Sequence, residues 1–356
     1  MLSRFLIIIF ACFCASRPVL AWNAEGHMVV AQIAYNHLDS AVKAKCDALI
    51  AVPLTYGDSR STNFVTAAVW ADDYKNSLGT GTSHYINLAI SLDGTSTNGV
   101  TIDASNVVTA IRQCITALQN TNATLTDQAT ALRYLLHFVG DIEQPLHCVA
   151  AVWASRTSGD AGGNYFYLNG TWDNLHYLWD DGGGYLWDSI SRPLDPTSQV
   201  TLSNKAAAIE ADYPYSLSVG TIPEPMDWAI EGKTIAQTNC YVGITLNGTP
   251  STVYLNSAKA TTEQRMAIGG QRLAKLLNTI FVTNAPSVAA ATIANGNFSF
   301  SWSSVPGRSY RVQWKQQLGD AVWNDLTDIT ASTNSTSFSE TSAGKQQRFY
   351  RAIVVN

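Results

Sequence analysis

The sequence predicts a mainly α-helical catalytic unit followed by a small all-β sandwich. Three observations carry this. Apolar residues recur near every 3.6 positions through much of 24–282. After "TNAPS" (283–287) the pattern changes to short alternating runs divided by Gly, Asn and Ser. A chain of 356 residues is long enough for two separate cores.

The first 21 residues read as a signal peptide. Arg4 makes a positive start, Phe5 to Ala15 is an apolar core, and Val19-Leu20-Ala21 ends in small residues. That core falls well short of the ~20 residues that cross a bilayer, and no later segment is long and apolar enough to do so. The mature chain therefore begins at Trp22 and is secreted or periplasmic.

Helices follow at 24–50 ("MVVAQIAYNHL", "AVKAKCDALI"), 105–120, 126–142, 203–211, 225–242 and 261–282. Thr126-Asp127 precedes "QATALRYLLHFVGDI" as a helix start, and Pro145 ends that helix. The segment 157–171, "TSGDAGGNYFYLNGT", predicts a Gly-rich loop or hairpin. The helical domain spans 22–283, a linker 284–287, and the sandwich 288–356. Its strands are "GNFSFSWSSV", "SYRVQWKQQ", "AVWNDLT", "STSFSE" and "QRFYRAIVV". Trp302, Trp314 and Trp323 of this tail read as core.

Composition limits what the protein can do. Only 14 % of residues are charged and 46 % are hydrophobic, a globular rather than a disordered balance. Removing the leader takes away Arg4 and Arg17 and no acid, leaving 20 basic residues against 27 acidic ones, a balance of −7. That excludes duplex binding through a basic surface. Cys46, Cys114, Cys148 and Cys240 remain, and four cysteines in an exported chain predict two disulfides.

The chemistry lies in the histidines. "HFVGDIEQPLH" puts His137 and Asp141 four apart, on one face of a helix, where both can grip one ion. His147 returns from beyond Pro145. "NLHYLWD" repeats the device with His176 and Asp180. "WADD" supplies Asp72, "SHYIN" supplies His84, and "AWNAEGH" places Trp22 and His27 five apart. Mixed imidazole and carboxylate donors suit zinc. His37 reads as a surface or capping histidine. Glu224, Asp227, Trp228 and Glu231 read as packing and helix start.

Together "W-x4-H", "WAD", "HY", "LHFVGDIEQPLH", "GGN" and "NLHxxWD" resemble the trinuclear-zinc type I nucleases. These are secreted single-strand-specific endonucleases and 3′-nucleotidases of fungi, plants and some bacteria. The likeness covers roughly 22–283 and leaves out the β-rich tail. It implies the helical fold shared by zinc nucleases and zinc phospholipases C, and three Zn2+. Asp72, His84, His137 and Asp141 would hold the first ion, and His147, His176 and Asp180 the second. The third would use His27, Asp141 as a bridge, and the α-amine and carbonyl of Trp22, which only leader removal frees. Three such ions would make a local cationic well in an acidic protein.

The resemblance also implies roles around the ions. Asp72 would orient or deprotonate the attacking water, Lys75 would face phosphate charge, and Asn164 of "GGN" would bond phosphate or brace a ligand. Tyr85 would stack on an unpaired base, and Asn87 would meet a base edge. Gly182, two residues after Asp180, lacks the polar side chain expected there. Substrates would be single-stranded DNA and RNA and 3′-nucleotides, cut to 5′-phosphate products by a monomer.

Two rival readings remain on sequence. Zinc-dependent phospholipases C share the three-ion logic, but generally end the last ligand pair as HxxxE and leave a longer gap from Trp to the first His. Asp180 and the short step from Trp22 to His27 favour the nuclease. A metal-stabilised extracellular binding protein would close its sites with four protein ligands, whereas the second group offers three.

Overall fold

Asn23 starts the first helix: its side chain accepts hydrogen bonds from the backbone N–H groups of Glu25 and Gly26. Helix α1 (Ala24–Asn36) is apolar nearly all round and buried from Glu25 to Ala34. The computed structural model describes residues 22–120, 122–216, 224–281, 286–304, 306–320, 322–344 and 347–354. The leader assigned to 1–21 lies outside the described residues, as do 284 and 285 of the expected linker. The chain divides into two compact units, Met1–Phe281 and Val282–Asn356.

The stretch expected to be helical over 24–50 is two helices, α1 and α2 (Ser40–Ile50). Asn278 satisfies the break between them: its amide donates to the His37 carbonyl, and its oxygen accepts from the Asp39 N–H. Sequence periodicity did not reveal α3 (Phe64–Ala67) or α4 (Trp70–Leu78). The first is a single turn, and the second has only two fully buried residues, Trp70 and Ala71. Gly79, at φ 67°, closes α4.

Strand β1 (Leu88–Ser91) leads to α5 (Val107–Gln119) and α6 (Leu125–Glu143). The cap of α6 is Thr124, not Thr126, because the Thr124 hydroxyl accepts from the Asp127 N–H at 3.1 Å. The helix does end at Pro145, which opens a 3-10 turn (Pro145–Cys148) running into β2 (Val149–Val152). β2 pairs in parallel with β1, Leu88 opposite Val149.

After the Gly-rich loop comes α7 (Leu175–Asp180), then α8 (Pro196–Asp212), α9 (Pro225–Ile235) and α10 (Thr252–Phe281). α8 and α10 begin earlier than their apolar spacing predicts; α8 starts at a proline capped by Asp195. α10 crosses α1 closely at Gly270, where a β-carbon would stand 2.5 Å from Ile33. Among the described residues no helix is long and apolar enough to cross a membrane.

The second unit holds β3 (Val288–Ala294), β4 (Asn297–Ser303), β5 (Ser309–Lys315), β6 (Asn324–Thr330), β7 (Ser335–Thr341) and β8 (Phe349–Val354). They form two antiparallel sheets, ordered β3-β4-β7 and β6-β5-β8. Phe300, Trp302, Tyr310, Val312, Ala331 and Ala352 make its apolar cluster. β3, "VAAATIA", was not expected, because it is exposed along its length and has no alternation to read. Trp302 is fully buried, while Trp314 and Trp323 carry cations on their faces, Arg348 on the first and Lys315 and Arg351 on the second.

The two expected disulfides are not formed. Cys46, Cys114, Cys148 and Cys240 are all buried free thiols. They pack as small apolar groups, and the Cys148 thiol donates to the Ile142 carbonyl. Burial raises each thiol well above its ordinary pKa, Cys46 and Cys114 to about 12.

Candidate metal centre

Four atoms from three elements converge beside α6. They are Asp72 Oδ1 of α4, His84 Nδ1 of the turn before β1, and His137 Nε2 and Asp141 Oδ2 of α6. His84 Nδ1 stands 3.0 Å from both His137 Nε2 and Asp141 Oδ2, and His137 Nε2 stands 3.3 Å from Asp141 Oδ2. Asp72 Oδ1 is 3.6 Å from each histidine nitrogen. Four donors bound at 2.0–2.1 Å around tetrahedral zinc lie ~3.3 Å apart. Five of the six edges therefore match such a cage within a few tenths of an ångström.

The other oxygen of Asp141 serves a second grouping. Its Oδ1 is 3.5 Å from Nε2 of His27, whose ring stacks on His137. His147, His176 and Asp180 form a third grouping, with His176 Nε2 3.5 Å from Asp180 Oδ2. Three sets of donors lie close enough together to hold a metal ion: His27 with His137 and Asp141, Asp72 with His84 and His137, and His147 with His176 and Asp180.

Local structure presets the imidazoles. His137 Nδ1 donates to the Ala68 carbonyl at 2.7 Å, His147 Nδ1 to His84 at 2.7 Å, and His176 Nδ1 to Gly162 at 2.6 Å. A carbonyl only accepts, so the proton sits on Nδ1 and the Nε2 lone pair is left for a cation. The Gly162 contact needs a left-handed glycine, φ 61°, because a β-carbon would stand 2.3 Å from the Leu146 carbonyl. The expected Gly-rich loop thus has a definite task.

The electrostatics point the same way. Burial pulls His84 down to about 4, His137 below its ordinary value, and His27 and His147 well below it. Burial pushes Asp141 and Asp180 well above the usual carboxylate range. Nε2 of His27 and of His147 and both oxygens of Asp141, the atoms that face the groupings, are buried without a hydrogen-bond partner. Leaving so many polar atoms unmet is costly unless a cation satisfies them.

The remaining site residues fall close by. Lys75 Nζ is 3.1 Å from Asp72 Oδ1. Tyr85 and Asn87, both half-buried, flank Ile86, whose N–H is held by the His147 carbonyl. Asn164 Nδ2 donates to Ala161, which shapes its own loop. Trp22 is fully buried, and the next residue, Asn23, donates its N–H to the Asp180 carbonyl. Gly182, Gly183 and Gly184 all have positive φ and make a tight backbone turn after Asp180. His37 lies outside the centre, paired with Glu210 and stacked on Tyr215. Glu231 binds Arg265 and Arg272, and Glu224 caps α9, as packing and helix-start roles require.

Sequence reading did not single out Gln144, Gly140 or Asn23. Gln144 lies between two ligand candidates, which was its only signal.

Buried imidazole and carboxylate groups on a helical frame make a candidate metal centre. A family model described as "S1/P1 Nuclease" matches residues 22–282, and this chain belongs to that family. It is a nuclease, acting on the phosphodiester bonds of nucleic acid. Nuclease P1 from Penicillium citrinum is 27 % identical over 286 residues, 73 % of this chain and 97 % of that protein. Nuclease S1 from Aspergillus oryzae is 25 % identical over 304 residues, covering 78 % and 98 %. Endonuclease 4 from Arabidopsis thaliana is 27 % identical over 283 residues, covering 74 % and 90 %. Among solved structures, an alpha toxin from Clostridium absonum gives a TM-score of 0.38 at 9 % identity, over 93 % of this chain and 82 % of that one.

Proposed function

We propose that the helical unit is a zinc-dependent endonuclease of single-stranded DNA and RNA. It leaves 5′-phosphates and also acts on 3′-nucleotides. The observation that carries this is the close convergence of Asp72, His84 and Asp141 on His137, with donor separations of 3.0–3.6 Å. Three Zn2+ are proposed. The first would be held by those four residues, and the second by His147, His176 and Asp180. The third would be held by His27, Asp141 and the backbone of Trp22. When bound, the ions supply Lewis acidity and water with a pKa near ~7.

The chain's own residues do the rest. Asp72, with one oxygen in the first group, orients the attacking water and accepts its proton. Lys75, beside that oxygen, meets negative charge on the phosphate. Asn164 lies on the loop that fixes His176; one amide hydrogen holds the Ala161 carbonyl, and the other would be offered to the phosphate. Tyr85 stacks on a base whose face is free, which selects unpaired strands, and Asn87 meets the base edge. Burial keeps the centre at low dielectric, where each charge acts more strongly than in water.

Residues 1–21 are proposed to direct export and to be cut before Trp22, so that its amine becomes a donor. The tail, 288–356 after a linker at 284–287, is proposed as an accessory β-sandwich, and the protein as a monomer. The test is zinc analysis of mature protein with and without one extra residue before Trp22, alongside release of acid-soluble nucleotides from denatured DNA and RNA. Three zinc ions and activity are expected only for the form that begins at Trp22. An extended form with three zinc ions and full activity would refute the third site, and phosphocholine release from lipid without nucleotide release would refute the nuclease substrate.

A further inference from the structure

Gln144 is fully buried between the metal groupings, three residues after Asp141 and three before His147. Its side chain makes two bonds. Oε1 accepts from the Leu146 backbone N–H at 2.6 Å, and Nε2 donates to Asp180 Oδ1 at 2.7 Å. Chemistry fixes this orientation. A backbone N–H can only donate, so the amide oxygen must face Leu146, and the NH2 group must face the carboxylate.

The consequence falls on Asp180. Its Oδ1 is engaged by Gln144, while its Oδ2 points to His176 Nε2 at 3.5 Å. With His147 Nε2 and His176 Nε2, one carboxylate oxygen makes a three-donor site. A tetrahedral ion there keeps one position for a substrate oxygen, whereas a two-oxygen Asp180 would crowd it. We propose that Gln144 is a positioning residue that holds Asp180 to coordination through Oδ2 and so keeps the second ion open. The inference rests on the metal-centre reading above.

Gln144 also caps the 3-10 turn that carries His147, and the two roles separate experimentally. Gln144→Glu keeps an acceptor for Leu146 and replaces the donor at Asp180 with a second acceptor. Gln144→Leu removes both. Zinc stoichiometry and affinity are measured by competition with a chelator, coordination by the absorption of the cobalt-substituted protein, and folding by melting of the metal-free forms.

In Q144E one zinc is expected to bind about 10–100-fold more weakly, the usual effect of losing an outer-sphere partner. The cobalt spectrum should change, and the metal-free protein should melt somewhat lower than wild type because a second carboxyl group is buried beside Asp180. Q144L should lose the same ion and also melt lower. If Q144E keeps wild-type zinc affinities and cobalt spectrum while only Q144L is impaired, Gln144 merely caps the turn and the proposal fails. A wild-type protein that takes up no zinc would instead sink the metal-centre reading.

Discussion

The imidazole of His27 lies against that of His137, ring centroids 3.8 Å apart and planes 15° from parallel. The rings come from α1 and α6 and meet over Gly140, where a β-carbon would stand 2.7 Å from His27 Nδ1. The glycine is therefore a spatial requirement of the His27–Asp141 grouping.

Gly140→Ala should push His27 away from Asp141. Overpacking of this kind costs about 1–3 kcal/mol. Of the three zinc ions proposed, G140A should keep two and lose the one at His27, as read by metal analysis. Three ions at wild-type affinity in G140A would contradict the packing argument.

Asp141 lies within 3.0–3.9 Å of ring nitrogens from His27, His84, His137 and His147. Its oxygens are split between two groupings, so Asp141→Ala should empty both. Nuclease activity is expected to fall by at least about 100-fold, the upper end of what outer-sphere changes cost at metal sites. An active D141A retaining three zinc ions would disprove the bridging role.

Glu143 is fully buried and holds two guanidinium groups: Arg272 at 2.8 Å and Arg265 closer still. Removing one side of such a pair leaves buried charge uncompensated, which costs about 3–5 kcal/mol. Glu143→Ala should lower the unfolding free energy read from denaturant melts by that much, without changing zinc stoichiometry in the protein that remains folded.

Asn23 caps α1, and its amide also donates to Asp181 Oδ1 at 3.0 Å and to the Leu186 carbonyl at 2.5 Å. Loss of an N-cap costs about 0.5–2 kcal/mol. Asn23→Ala should destabilise by at least that amount. Because Asn23 follows Trp22 directly, the zinc proposed at Trp22 should also exchange faster in a chelator chase, while the other two proposed ions are unchanged.

Asp160 is buried, accepts from the Ala151 N–H at 2.8 Å and the Tyr241 hydroxyl at 2.7 Å, and burial raises its pKa. The sign follows from linkage. The folded carboxyl holds its proton to higher pH than the unfolded one, so its contribution to stability is lost as pH rises from about 4 through the raised value. Asp160→Asn abolishes that loss. The stability of D160N relative to wild type, from urea melts, should improve between about pH 4 and pH 7. A flat difference would show that Asp160 titrates as in the unfolded chain.

Much of this was legible in the sequence, for reasons that differ by residue. His137 and Asp141 are four apart on one helix, so their shared face follows from helical geometry alone. His176 and Asp180 are readable in the same way. The order and spacing of the motifs carried the family. Element edges were less legible. The early start of α10 lies outside its apolar rhythm, and β3 has no rhythm to read. The disulfide expectation failed because cysteine number says nothing about where four thiols lie after folding.

By itself the sequence determined which donors exist and which of them share a helix, since those are properties of the local chain. Only the tertiary structure decided how the donors divide. Asp72 and His84 reach His137 across 65 and 53 positions of chain, and the two Asp141 oxygens face His27 on one side and His84 on the other. The structure also decided what holds the ligands in place: the Ala68 and Gly162 carbonyls, the space at Gly140 and the amide of Gln144. The carbonyls and the space at Gly140 bear no sequence mark of their task, because a backbone carbonyl or an empty β-position acts through where the fold puts it.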